Sequence, residues 1–125
     1  MKYAVYQIQL TAAEVDKINA TGDFNSVPKQ AAKLKMETDF AGHRIGGNAA
    51  EAFDAGYYTH VANITADNPD QVFEIGNIGP EANIERLARM HSISVGDIIV
   101  AETGEMIVVA PVGFVLFSYN PKAAA

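Results

Sequence analysis

Three residues near the end of the chain carry the side chains of a hydrolytic triad: His91, Ser92 and Asp97. A triad needs an imidazole base within hydrogen-bond reach of the serine hydroxyl, and an acid that orients the imidazole. Adjacent residues of a strand point to opposite faces, so His91 and Ser92 are badly placed for this chemistry. We favour a structural role, in which Ser92 and Ser94 lead into a strand and Asp97 binds backbone N–H groups of a turn. No catalytic residue is predicted.

A second candidate is the glycine-rich stretch AGHRIGG at residues 41–47. With Asn48 opening a helix, His43 and Arg44 would flank a helix N-terminus, where free N–H groups attract phosphate. The spacing matches neither the P-loop nor the dinucleotide fingerprint, because the Lys-Ser/Thr pair and the third glycine are missing. We therefore favour a loop before a capped helix over residues 49–55. His43, Arg44 and Asn48 remain the candidate ligand residues of the less favoured nucleotide site.

Metal and cofactor chemistry find little support in the residue spacing. None of the histidines His43, His60 and His91 belongs to a short-spaced pair such as HxH or HExxH, which metal sites commonly use. The chain has no cysteine, which excludes disulfides, zinc–thiolate sites and thiol nucleophiles. No pair of carboxylates is singled out for acid–base catalysis. We predict no metal and no cofactor.

The charge of the chain is unevenly distributed. Residues 1–50 hold six Lys/Arg and five Asp/Glu, whereas residues 51–125 hold three and ten. An acidic surface is unfavourable for binding a phosphate backbone, so nucleic acid is not the expected partner. No apolar run approaches the roughly 18 residues that span a bilayer. We expect a soluble, cytoplasmic protein with one domain over residues 1–119 and a frayed tail over residues 120–125.

Two stretches in the first third of the chain alternate between apolar and polar residues. Residues 2–10 predict a strand with Gln7 and Gln9 on the solvated face. A helix should follow at once, because a threonine and a glutamate at positions 11 and 14 have capping-box spacing. Residues 32–40 also predict a strand, since strand geometry places their four charges on one face. A helix that starts at Pro28 is the alternative, because Ala, Lys and Leu are good helix formers.

The middle of the chain predicts three further elements. Residues 57–64 are rich in Tyr, Thr, Val and Ile and predict a strand. A short helix over residues 69–75, begun by Asn-Pro, would bury Phe73. Asn77 follows between two glycines, where asparagine can adopt a left-handed conformation or cap the next helix. That helix is predicted over residues 80–90 from apolar residues that recur every third position.

The C-terminal stretch is the one around which the fold is organised. Apolar runs at residues 93–100 and 106–110 flank a polar turn that contains Gly104, which is typical of a β-hairpin. A third uncharged run, residues 112–117, includes Gly113 and Phe114. The order of elements predicts an α+β single domain with a largely antiparallel sheet, helices packed on one side, and the C-terminal β-hairpin as its core.

The segments VFEIGN, HSISVGDIIV and VVAPVGF together resemble the YodL-like domain family, whose members are small proteins or modules of bacteria, phages and conjugative elements. The resemblance covers roughly residues 70–117. It is carried by Val72, Phe73, Glu74, Asn77, Ser92, Ser94, Val95, Asp97, Ile98, Ile99, Gly104, Gly113 and Phe114. It implies no catalytic residues and points to a protein of a phage or another mobile element.

Three hypotheses about function follow from these observations. The leading one is a non-enzymatic, phage- or plasmid-encoded accessory module that binds a host or phage protein in the host cytoplasm. The second is a minor virion or capsid-associated structural protein, since a compact domain without cysteine suits that role. The third is a small nucleotide-binding protein or enzyme that uses the loop at residues 42–48.

Overall fold

The computed structural model of the chain describes residues 1–39 and 43–118. Within these ranges the chain folds around a six-stranded sheet in the order β3-β2-β1-β4-β5-β6, and every neighbouring pair of strands is antiparallel. The strands are β1 (Lys2–Ile8), β2 (Tyr58–Thr65), β3 (Ile84–Arg86), β4 (Ile98–Ala101), β5 (Met106–Val109) and β6 (Phe114–Phe117). The predicted strands at residues 2–10 and 57–64 correspond to β1 and β2.

In the described part of the chain, four α-helices connect and cover the strands. They are α1 (Ala12–Thr21), α2 (Pro28–Glu37), α3 (Ile45–Asp54) and α4 (Pro69–Ile78), with short 3₁₀ turns at Phe24–Ser26 and Glu81–Asn83. The capping box at the start of α1 is present: the Thr11 hydroxyl accepts from the Glu14 N–H, and the Glu14 carboxylate accepts from the Thr11 N–H. The Asn68 side chain caps α4 by accepting from the Gln71 N–H at 2.8 Å.

The helices cover both faces of the sheet. Ile98 and Ile99 are adjacent in β4 and therefore point to opposite faces. Ile99 lies in an apolar cluster with Val72 of α4, whereas Ile98 lies in a second cluster with Met36 of α2 and Ala49 of α3. The predicted α+β class, single domain and antiparallel sheet are confirmed. The predicted placement of the helices on one side differs from the structure, because β4 and β5 are apolar on both faces and need cover on both.

The predicted strand at residues 32–40 is wrong, and the helical alternative is correct. Pro28 occupies the first turn of α2, where its missing N–H is not needed. Met36 is fully buried, and Lys29 forms a 3.1 Å salt bridge with Glu14 of α1. The alternating pattern fits a strand, and helix propensity and the proline start fit a helix; the burial of Met36 against β4 and β5 favours the helix. Residue 40, the last of the predicted strand, lies outside the described residues.

The predicted helix at residues 80–90 is also wrong. The helix before it, α4, continues to Ile78 and ends at Gly79, so it takes up most of the predicted turn. Residues Ile84–Arg86 then form β3 and pair with β2, with Ile84 opposite Ile64. Leu87 is 51% exposed, so the residues at every third position do not form a core stripe. Pairing with the edge of β2 outweighs local helix propensity here.

The predicted C-terminal hairpin is confirmed. Strands β4 and β5 are joined by a tight turn in which Gly104 has a φ of +90°, a conformation that suits glycine. β5 then pairs with β6, and the Ala110 N–H donates to the Gly113 carbonyl at 3.0 Å in their connection. β4 begins only at Ile98, so the residues before it form an irregular segment. The tail predicted at residues 120–125 lies outside the described residues.

Candidate functional site

Residues 91–97, here called the clamped segment, lead into β4 without forming a strand. The Gln7 side chain of β1 donates to the His91 carbonyl at 2.9 Å and accepts from the His91 N–H at 3.1 Å. The Asn77 side chain of α4 accepts from the Ile93 N–H at 2.6 Å and donates to the Ile93 carbonyl at 3.2 Å. Each side-chain amide thus pairs with the backbone of one residue as a neighbouring strand would. The position of the clamped segment is therefore fixed from both sides.

Asp97 closes the end of the clamped segment. Its Oδ2 accepts from the Ser94 N–H at 2.9 Å and from Gln7 Nε2 at 3.0 Å, while its own N–H donates to the Ser94 carbonyl at 3.0 Å. This is the local backbone hydrogen bonding that the sequence predicts for Asp97. Gly96, the residue before it, is held by the Tyr58 hydroxyl, which donates to its carbonyl at 2.5 Å.

Burial changes the acid–base properties of Asp97. The side chain is 3% exposed, and this desolvation raises its pKa from 3.8 to about 6. Hydrogen bonds from Ser94 and Gln7 and the charges of His91 and Lys33 oppose the rise in pKa. Burial and the nearby Asp97 charge in turn raise the pKa of Tyr58. A raised carboxyl pKa often marks a functional site, but this carboxyl is buried and its bonded oxygen already accepts from the Ser94 N–H and the Gln7 amide.

The three residues of the hypothetical triad are not linked by the side-chain hydrogen bonds that a triad needs. The ring Nδ1 of His91 lies 2.8 Å from the Ser92 carbonyl oxygen, and both residues are exposed. The bonded oxygen of Asp97 contacts Gln7 and the Ser94 backbone instead of the imidazole. A serine nucleophile would therefore have neither its base nor the acid that orients the base.

An open apolar hollow lies above the clamped segment, and we call it the aromatic groove. Its volume is about 400 Å³. Its walls come from α4 and from the connection between β5 and β6, and its floor comes from the clamped segment. The lining residues are Phe73, Ile93, Ser94, Val95, Val109, Ala110, Pro111, Gly113 and Phe114. None of them carries a charge, so the groove is suited to an apolar group.

Two phenylalanines define the character of the groove. The ring centroids of Phe73 on α4 and Phe114 on β6 are 6.4 Å apart, and their planes meet at 74°, edge to face. Phe73 was expected in the core, yet it is 38% exposed, because the apolar core contact of α4 is made by Val72 and Ile75. Phe114 is half-buried. An aromatic side chain is thus presented to solvent at the rim of an apolar hollow.

The motif residues form three groups according to their position relative to the aromatic groove. Phe73, Ser94, Gly113 and Phe114 line the aromatic groove, although they are distant in sequence. Asn77 on α4 and Asp97 at the end of the clamped segment hold the floor through the hydrogen bonds described above. Two others do not join them: Ser92 is exposed without lining the groove, and Gly104 lies in the β4–β5 turn at the other end of these strands.

The glycine-rich loop differs from its prediction. Asn48, expected to cap a helix, lies inside α3, which begins at Ile45 and contains both Gly46 and Gly47. Arg44 is the residue at the helix start, and its N–H already donates to the Asp39 carboxylate at 2.8 Å. His43 is exposed beside it. A carboxylate at this helix N-terminus disfavours a phosphate there, since both would place negative charge on the same N–H groups. Residues 41 and 42 of the loop lie outside the described residues.

Across residues 1–39 and 43–118, no group of three or more His, Cys, Asp or Glu side chains is arranged to hold a metal ion. His60 instead stacks on Tyr6, with ring centroids 4.7 Å apart, and its Nε2 lies 2.8 Å from Asn63 Oδ1. The same described ranges contain no helix of the length and apolarity needed to cross a membrane.

A second hollow, of about 350 Å³, lies between α2 and α3. Small alanines form much of its wall, together with the charged side chains Lys35 and Glu51 and the ring of Tyr57. It presents no buried polar group that would orient a ligand. We therefore regard the aromatic groove as the candidate functional site.

Gln7 is the site residue that the sequence pattern misses. The alternation in residues 2–10 places Gln7 on a solvated face, but it is fully buried on the face shared by Tyr3 and Val5. That face also contains the backbone of the clamped segment, which needs a polar partner. Nothing in the sequence around Gln7 indicates that its partner is the backbone of His91, 84 residues away.

Comparison with protein-family models, with curated proteins and with solved structures finds no match to this chain. The resemblance to the YodL-like family therefore stays a prediction, and the function must be argued from the site itself.

Proposed function

We propose that this chain is a non-enzymatic protein-binding module that holds a segment of another protein in the aromatic groove. The observation that carries the proposal is the edge-to-face pairing of Phe73 and Phe114 at the rim of an open, uncharged hollow. Phenylalanine is among the residues in which protein interfaces are enriched, and a partly exposed one costs free energy in water. A partner that covers it would recover that free energy.

The hydrogen bonds that hold the floor of the groove also favour a binding function. Gln7, Asn77 and Asp97 fix the backbone of the clamped segment, so the floor of the groove is ordered before any partner arrives. A preorganised surface loses less conformational entropy on binding than a mobile one. The buried polar groups near the groove are thus engaged in positioning backbone, which favours recognition over catalysis.

We also propose that the module is encoded by a phage or another mobile element and acts on a host or phage protein in the host cytoplasm. The resemblance of residues 70–117 to the YodL-like family supports this context, and the acidic C-terminal half fits a protein partner better than nucleic acid. Mass spectrometry of purified phage particles tests the location. The module should be missing from the particles, and a stoichiometric presence would favour a virion protein instead.

The binding function can be tested with a random peptide library displayed on phage and selected on the purified chain. Peptides with a large apolar residue should be enriched. Their affinity should fall at least about tenfold on the Phe73→Ser variant, because the exposed aromatic wall is lost. Phe73 is 38% exposed, so this substitution should leave the fold intact, which circular dichroism will verify.

Leu116→Ser provides the matched control. Leu116 is 62% exposed and lies on β6, two residues after Phe114, but outside the groove. This variant should bind the selected peptides as the unmodified chain does. The proposal is overturned if the library yields no binder, or if the enriched peptides bind the Phe73→Ser variant without loss.

A further inference from the structure

We infer that the aromatic groove takes a basic segment: a large apolar side chain enters beside Phe73, and a neighbouring Lys or Arg of the partner reaches the acidic rim of α4. This inference rests on the proposed binding function and names the chemistry of the partner. It is carried by the distribution of charge around a groove whose own lining is uncharged.

The rim of the groove on α4 is acidic. Asp70 and Glu74 are both exposed, and α4 contains no lysine or arginine. Asp70 lies three residues before Phe73 and four before Glu74, so Asp70 is a neighbour of both on the helix surface. A cation that follows an apolar side chain into the groove would meet these carboxylates first.

The basic residue on β3 beside α4 is already paired. Arg86 on β3 donates to both carboxylate oxygens of Glu81, at 2.6 and 2.9 Å. Lys33 and Glu37 of α2, which have opposite charges, line a smaller hollow that adjoins the aromatic groove through Ser94 and Val95. Among α4, β3 and α2, the unbalanced charge therefore lies on α4, and it is negative.

The charge of the whole chain acts in the same direction. The formal net charge is −6, and residues 51–125, which include every residue that lines the groove, hold ten acidic and three basic residues. Such a field attracts a basic segment and repels an acidic one during encounter.

The size of the groove indicates a segment rather than a folded surface. A volume of about 400 Å³ is at the lower end of the range for ligand pockets, which suits one or two inserted side chains. Specificity would then come from the residues beside the inserted side chain, and the exposed charges that α4 offers them are carboxylates.

Three synthetic peptides of equal length test this inference. They share an apolar centre with one phenylalanine and one leucine, and differ only in flanking residues: lysine, serine or glutamate. Binding to the intact chain is measured by fluorescence anisotropy at low and at physiological salt. The lysine peptide should bind at least about tenfold more tightly than the glutamate peptide. This preference should shrink as salt rises, because exposed charges are screened.

Two doubly substituted chains locate the charge that matters. Asp70→Asn/Glu74→Gln should abolish the preference for lysine and leave the affinity for the serine peptide unchanged. Glu102→Gln/Glu105→Gln removes the same amount of charge at the β4–β5 turn, away from the groove, and should retain the preference. If the control double variant abolishes the preference as fully as the α4 variant, the acidic rim is not the cause and the inference fails.

The remaining outcomes separate this inference from the proposed function. Equal binding of all three peptides, with loss on Phe73→Ser, overturns the basic partner and leaves the groove a binding site. Failure of every peptide to bind, together with no binder from the library, overturns both.

Discussion

Gln7 and Asp97 are 90 positions apart in the sequence and are joined in the core by a 3.0 Å hydrogen bond from Gln7 Nε2 to Asp97 Oδ2. Both side chains are buried, at 0% and 3% exposure. The same Asp97 oxygen also accepts from the Ser94 N–H, so two donors meet on one atom. This bond ties β1 to the start of β4 and holds the clamped segment beneath the aromatic groove.

The raised pKa of Asp97 predicts that this site destabilises the fold as pH rises. With a pKa of about 6 in the fold and 3.8 as reference, the folded protein binds the extra proton between these pH values. The cost of the charged form is thus absent well below pH 3.8 and complete above about pH 6. Two pKa units correspond to on the order of 3 kcal/mol. The free energy of unfolding of the Asp97→Asn variant, relative to that of the unmodified chain, should therefore rise as pH rises through this range. Urea unfolding at several pH values measures the difference.

Asparagine suits this test because its Oδ1 can replace the Asp97 oxygen that accepts both hydrogen bonds. His91, Lys33 and Tyr58 are the titratable groups near this carboxyl, and they remain in both proteins. Asp70→Asn, at an exposed site on α4, is the control for the change in net charge. A difference between Asp97→Asn and the unmodified chain that stays constant from pH 3 to pH 7 would contradict the prediction.

Loss of the Gln7 side chain should release the clamped segment. We expect Gln7→Ala to speed amide hydrogen exchange at His91, whose N–H it binds, and to lower the free energy of unfolding by roughly 1–3 kcal/mol, because a buried carboxylate loses a donor. Gln9→Ala is the matched control, since Gln9 directly follows β1 and its side chain donates to the Arg89 carbonyl near the surface. Unchanged exchange at His91 would mean that the segment is held by its other contacts alone.

The elements that the sequence predicts well are those with strong local signals. The capping box at Thr11 and Glu14 identifies the start of α1, and the glycine turn between two β-branched runs identifies the β4–β5 hairpin. The failures have a common cause. Residues 32–40 and 80–90 carry patterns compatible with two structures, and contacts distant in sequence decide between them: the burial of Met36 in one case and pairing with β2 in the other.

The same limit applies to the site. Phe73, Ser94, Gly113 and Phe114 were named as motif residues, but nothing in their spacing indicates that they line one groove. The alternation predicts Gln7 on the solvated face because polar residues in an alternating strand usually are exposed. Its partner backbone at His91 becomes visible only after the sheet has brought β1 beside β4.

Replacement of two helical glycines by alanine should change the free energy of unfolding in opposite directions. Gly47 in α3 has nothing within 4 Å of an added Cβ, so Gly47→Ala should raise the free energy of unfolding by about 0.5–1 kcal/mol through helix propensity. At Gly76 in α4 an added Cβ would lie 2.3 Å from Ile93 Cδ1. Ile93 is 2% exposed and has little room to move, so Gly76→Ala should destabilise by about 1–3 kcal/mol.

Thermal or urea unfolding of the two alanine variants checks this pair. The Gly76→Ala protein should also bind the selected peptides more weakly, since Ile93 lines the groove. A stabilising effect at both positions would show that Ile93 can move aside, and would place the close contact of α4 with the clamped segment in doubt.

Gln7 of β1 holds the clamped segment at His91, and Asn77 of α4 holds it two residues later, at Ile93. If the segment moves as one unit, removal of either side chain already releases most of it, and removal of the second costs less. We therefore expect the effects of Gln7→Ala and Asn77→Ala on unfolding to be less than additive, with a coupling free energy of about 0.5–2 kcal/mol.

A double-mutant cycle by urea unfolding measures this coupling. Gln9→Ala combined with Asn77→Ala is the control and should be additive, because Gln9 binds Arg89, ahead of the clamped segment. Additive effects in both cycles would mean that His91 and Ile93 are held independently, and that the floor of the groove is two separate anchors instead of one rigid segment.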